Sequence, residues 1–157
     1  MNALVTKLFQ IDDYLKTLGL RYVYCGSISM IVHGMGLMNF HDADIDFVDL
    51  SDEEKLGVDV TEDVLPDYLD IDINKMFSDG LEDLRVGEFY EEIEYEGRKF
   101  LVSKLEYEVE VRKRLIKMVV DKRETDKSNS EWDLKFLEKC RTRITQIQNF
   151  LKKKKNR

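Results

Sequence analysis

An α+β fold, with its strands gathered ahead of a C-terminal helical part, is predicted by three observations. The N-terminal segment repeats apolar residues at helical spacing, two later segments alternate acidic with apolar residues as strands do, and the last third returns to helical spacing. With 157 residues, 43% of them hydrophobic, and a single Pro, the chain is expected to fold as one domain, 1–157. Its core is expected at about 1–102, a helical part at about 103–151 and a basic tail at 152–157.

Leu4, Leu8, Ile11, Tyr14, Leu15 and Leu18 share one helical face, which predicts a helix over 3–18 closed by Gly19. Arg21-Tyr22-Val23-Tyr24-Cys25 is aromatic and β-branched and reads as a strand. Gly26-Ser27 then turns into a short helix, Ile28 to His33, and the Gly- and Met-rich residues up to Phe40 form a loop. Acidic strands are expected at Ala43–Leu50 and Tyr68–Lys75, with a capping box of Ser51 and Glu54 opening a helix or turn to about Gly57 between them. Arg85–Tyr95 and Arg98–Val102 read as a hairpin turning at Glu96-Gly97. Ser103 with Glu106 is a second capping box, opening a helix to about Val120, and the polar run Asp121–Asn129 breaks it. The last helix starts at Ser130, with Leu134, Leu137, Ile144, Ile147 and Leu151 as its buried stripe and Lys152–Lys155 as a frayed, solvated end.

The net charge of −7 conceals a sharp division. Phe40–Glu110 carries 24 Asp and Glu against 6 Lys and Arg, whereas Val111–Arg157 carries 6 against 16. The acidic body repels nucleic-acid backbones and attracts cations; the basic C-terminal part is where a nucleic acid would dock. No apolar run is long enough to span a bilayer, and Met1-Asn2-Ala3-Leu4 reads as the start of an amphipathic helix rather than a secretion signal, so a cytoplasmic location without membrane attachment is expected. In that compartment Cys25 and Cys140 are expected as reduced core residues. Cys25 has no base beside it in sequence to activate its thiol, and no Cys/His pair has zinc spacing. His33 and His41 read as capping or surface residues, and Tyr22, Tyr24, Phe89 and Tyr90 as core or sheet surface.

The chemistry concentrates in Asp42-Ala43-Asp44-Ile45-Asp46-Phe47 and Asp70-Ile71-Asp72-Ile73. Carboxylates at i and i+2 of a strand emerge on one face, while Ala43, Ile45 and Phe47 point to the core. Like charges held a few ångströms apart cost free energy, and a chain that does this twice is collecting hard oxygen ligands for Mg²⁺ or Mn²⁺. Ahead of them, Gly26-Ser27 offers backbone N–H groups and a hydroxyl at a helix start, where a phosphate can sit. Two ions about 3.5 to 4 Å apart, one activating a hydroxyl and one holding a triphosphate, would then need little from the protein beyond positioning.

Gly26-Ser27, the helix ending His33-Gly34, Asp44-Ile45-Asp46-Phe47 and Asp72 resemble the motifs of the DNA polymerase beta-type nucleotidyltransferase superfamily. More narrowly, His41 to Phe47 and Tyr68 to Asp72 are similar to segments of the small lincosamide and aminoglycoside nucleotidyltransferases. The likeness extends to Arg98-Lys99 entering Ser103-Lys104 and to Thr125-Asp126 ahead of Asp133-Leu134. The resemblance implies a mixed β-sheet nucleotidyltransferase core flanked by helices. It implies metal binding by Asp44, Asp46 and Asp72, with Asp72 as third carboxylate and candidate general base, and contact of Gly26 and Ser27 with nucleotide phosphates. Asp42 and Asp70 are alternatives, because a two-residue slip keeps the same face.

No Lys or Arg occurs between Arg21 and Lys55, and Met38-Asn39-Phe40 stands where such enzymes carry a loop cation. A triphosphate therefore needs cations from elsewhere, and Lys99, Lys104, Arg112 and Arg114 are the candidates. Three readings follow: a metal-dependent transferase moving a nucleoside monophosphate from a nucleoside triphosphate to a small cationic acceptor such as an antibiotic; a toxin-antitoxin type enzyme acting on RNA or protein; and a catalytically inactive binding module of the same fold. The resemblance also implies a homodimer whose second subunit walls the acceptor cleft.

Overall fold

The computed structural model describes residues 2–17, 19, 21–36, 42–47, 72–75, 88–126 and 130–156. Among these residues the order is α1 (Ala3–Lys16), β1 (Tyr22–Cys25), α2 (Gly26–Val32), β2 (Asp42–Phe47), β3 (Asp72–Lys75), β4 (Tyr90–Tyr95), β5 (Arg98–Ser103), α3 (Leu105–Asp126) and α4 (Glu131–Lys155). The strands form one mixed sheet in the order β3-β2-β1-β5-β4, so the fold is α+β. The chain divides into two units: one holds the described residues through β3 together with Tyr90–Ser103, the other Glu88-Phe89 and the chain from Lys104.

The first unit follows from its side chains. Asn2 caps α1 by accepting the Leu4 N–H at 2.8 Å, and Val5, Leu8, Ile11 and Leu15 are buried at helical spacing. Gly19 takes φ +69° just past the helix end, a region glycine enters without steric cost. β1 is the central strand, antiparallel to β2 and parallel to β5, and Val23, Tyr24 and Cys25 are all buried. Tyr24, Ile28, Ile31, Ala43, Ile45, Phe100 and Val102 close the core with the buried face of α1. The hairpin β4–β5 turns at Glu96 and Gly97, both with positive φ, which suits the twist of the flanking strands.

α2 begins at Gly26, two residues ahead of its expected start. The expected elements at 48–71 and the first part of the hairpin, 85–87, lie outside the described residues.

In the second unit α3 and α4 pack against each other, with Val109, Val111, Leu137, Cys140 and Ile147 buried. Lys104 N–H donates to the Phe89 carbonyl at 2.9 Å, and the Phe89 and Tyr107 rings lie 5.1 Å apart. Three expectations are corrected here. α3 continues through Asp126 rather than stopping near Val120, because Lys122, Arg123 and Glu124 are good helix formers that need no buried partner. Leu134 is 48% exposed, and the buried stripe of α4 runs instead through Asp133, Leu137, Cys140 and Ile147. Lys152–Lys155 are the last turn of α4, where cations complement the helix dipole. Both cysteines are buried and free, as expected.

Candidate functional site

The site is assembled by register. β1 and β2 pair Cys25 with Asp44 and Val23 with Asp46, so the chain leaves β1 at Gly26 directly beside Asp44. Gly26 has φ +62°, and a Cβ placed on it would come within 2.5 Å of Asp44 Oδ2. The left-handed φ favours glycine at this corner, and the Asp44 carboxylate fills the space that a side chain would take, so it would have to move for one to be added. Ala43 and Ile45 are buried in the core. Alternation along β2 consequently assigns Asp44 and Asp46 to the opposite face; Asp44 is half-buried and Asp46 is 1% exposed. Ser27 is half-buried in the first turn of α2.

β3 runs parallel to β2 with Asp42 paired to Asp72 and Asp44 to Asn74. The third expected carboxylate thus occupies a backbone position next to the acidic run of β2. The side chains of Asp42 and Asp72, and all of His41 and Asp70, lie outside the described residues. Among the described residues no group of three or more His, Cys, Asp or Glu side chains has metal-holding geometry. The described donors, Asp44 beside the Gly26 corner and Asp46 two residues further along β2, offer hard carboxylate oxygens, a donor chemistry that suits Mg²⁺ or Mn²⁺.

α2 is held in place from its far end. Ser29 Oγ donates to the Ser103 carbonyl at 2.8 Å, and His33 Nε2 donates to the same oxygen at 2.9 Å. His33 is the C-cap residue of α2, and its Nδ1 lies 3.6 Å from a Glu91 carboxylate oxygen. Ser103, expected to cap a helix, is the last residue of β5, and α3 begins at Leu105.

A second cluster escaped the sequence reading. Asp12, 2% exposed, lies on the buried face of α1 and accepts from Tyr24 Oη at 2.7 Å, Tyr22 Oη at 3.0 Å and the Arg98 guanidinium at 3.0 Å, with Lys16 Nζ also at 3.0 Å. Burial alone would raise its pKa, but the hydrogen bonds from Tyr24, Lys16 and Arg98 outweigh burial and hold it below the ordinary value. Burial first, then the Asp12 charge, pushes the Tyr22 phenol up, and Tyr24 rises for the same reasons with a contribution from Tyr22. Arg98 also reaches Asp13 at 2.8 Å and lies 4.2 Å from the centre of the Phe9 ring. An acid at position 12, within the apolar stripe of positions 8, 11 and 15, was the available signal. Tyrosines at i and i+2 of the facing strand were its complement.

Of the cations proposed for a triphosphate, Lys99 lies 3.8 Å from Glu92 and Arg112 is paired with Glu108 one turn away. No helix among the described residues is long and apolar enough to cross a membrane. Comparison with known proteins finds no matching family model, no matching curated protein and no matching solved structure.

Proposed function

We propose that this chain is a metal-dependent nucleotidyltransferase that moves a nucleoside monophosphate from a nucleoside triphosphate to a hydroxyl of a small cationic acceptor. One observation carries the reading: the β1–β2 register sets Asp44 against the corner at Gly26, and β3 runs alongside β2 with Asp72 opposite Asp42. Asp44, Asp46 and Asp72 are the residues that would hold Mg²⁺ or Mn²⁺, and the ion would supply charge neutralisation on phosphate oxygens and a more acidic acceptor hydroxyl. Gly26 lets the Asp44 carboxylate close on the backbone, and Ser27 would offer its hydroxyl to a phosphate beside it. Asp72 is the candidate base for the acceptor proton, and the excess of carboxylates in 40–110 favours a positively charged acceptor.

The test is pyrophosphate release from each nucleoside triphosphate with Mg²⁺, across a panel of cationic hydroxyl compounds. Wild-type turnover that Asp44→Asn abolishes supports the proposal. Equal behaviour of the two proteins ends it.

The engagement of Lys99 and Arg112 with neighbouring carboxylates favours one second reading, a binding module that has lost catalysis. Calorimetric titration separates the two: the enzyme binds nucleoside triphosphate in a Mg²⁺-dependent manner and the inactive module does not.

A further inference from the structure

We propose that one flank of α4 is a docking surface for single-stranded RNA. Trp132, the only tryptophan of the chain, is 68% exposed and stacks on Phe136 one turn later, with ring centres 5.4 Å apart and planes 7° from parallel. Beside this pair runs an open groove of about 420 Å³ lined by Lys135, Glu138, Lys139, Thr142, Arg143 and Gln146. At about 100° per residue, positions 132, 135, 136, 139, 143, 146 and 150 share an arc of about 100° on α4. These positions hold Trp, Lys, Phe, Lys, Arg, Gln and Phe, and Lys153 and Lys154 extend the arc with no Asp or Glu inside it. The Arg143 guanidinium is pushed below its ordinary pKa by burial and by the Arg112 charge.

The interleaving identifies the partner. A solvated helix face has no use for a tryptophan with an open ring face among cations. A membrane-binding helix separates an apolar sector from its cationic one, whereas here Trp132, Phe136 and Phe150 share the arc of Lys135, Lys139 and Arg143. Bases that stack on aromatic rings while their phosphates meet alternating cations are the chemistry of a single nucleic-acid strand. Within the groove Thr142 and Gln146 are neutral hydrogen-bonding side chains, and Arg143 donates to Gln146 Oε1 at 3.1 Å. Such groups suit a ribose 2′-hydroxyl, which both donates and accepts, and so favour RNA over DNA. The surface lies wholly on the second unit and does not rest on the nucleotidyl-transfer reading.

The full chain is titrated with a labelled, mixed-sequence single-stranded RNA of about 12 nucleotides, following label anisotropy and Trp132 emission between about 50 and about 200 mM salt. The expected result is quenching of Trp132 as a base stacks on it, with affinity falling as salt rises. Trp132→Ala weakens binding about tenfold, and Trp132→Phe, which keeps a ring, stays within about twofold of wild type. Joint Lys135→Gln and Lys139→Gln replacement lowers the salt slope by about 1.4. Absence of quenching overturns the proposal, as does equal affinity for DNA of the same sequence. So does a blue shift of Trp132 with phosphatidylserine vesicles in place of an RNA response, which would assign the flank to a membrane.

Discussion

The corner at Gly26 and the flank of α4 hold charge in opposite ways. At the corner, two carboxylates are fixed by strand register, one against a backbone with no room for a side chain and one almost wholly buried. On α4, cations stand on an open helix surface beside an exposed tryptophan, ordered by helical spacing and, for Arg143, by a hydrogen bond to Gln146. Enclosed charge is specified atom by atom and suits chemistry at a point. Charge spread along a helix is specified only in aggregate and suits recognition of a long partner.

The sharpest way to break the contrast is Gly26→Ala. It forces a left-handed φ on a residue with a Cβ and pushes the Asp44 carboxylate out of its place, so a loss of about 3 kcal/mol is expected in urea unfolding. A loss below about 1 kcal/mol would mean that the corner yields. Next comes Asp12→Ala, expected to cost about 2 kcal/mol because it removes the buried acceptor of Tyr24 Oη and Tyr22 Oη and leaves Arg98 with Asp13 alone of its two carboxylates. The folded-state pKa of Asp12 is depressed, so its stabilisation is fully present above the ordinary carboxylate value near 4 and disappears as pH falls through the depressed value. The stability difference between wild type and Asp12→Asn should therefore be level from pH 7 to about pH 5 and shrink in more acidic solution. Ser29→Ala removes one of two donors on the Ser103 carbonyl and should cost about 1 kcal/mol by the same assay. Smallest of all, Trp132→Ala should change thermal stability by less than about 0.5 kcal/mol, since a surface ring contributes to binding and not to the fold.

Where local chemistry sufficed, the fold was legible from sequence. The α1 stripe, the aromatic β1, the Glu96-Gly97 hairpin turn and the alternation of Ala43 and Ile45 with Asp44 and Asp46 each follow from one period or one residue type. The parallel pairing of β2 with β3 and the sheet order could not be read that way, because strand partners are chosen by packing and not by spacing. The far end of α3 was obscured because Lys, Arg, Glu and Asp look alike in a loop and on a solvated helix. At the site, the acidic strands and the glycine corner were visible as residue types, but the closeness of Gly26 to Asp44 is a product of antiparallel register. Asp12 was hidden for a different reason: a charged residue in a buried stripe is recognisable only once its partners on β1 and β5 are known.

The shared carbonyl of Ser103 has one more effect. Ser29 and His33 stand one turn apart on α2 and grip a single oxygen at the end of β5, so the helix cannot swivel without severing both bonds. If a phosphate binds at the opposite end of α2 as proposed, it meets a helix already fixed in place rather than one that must be moulded around it. Binding there should be quick and should leave the surrounding amide exchange rates almost untouched.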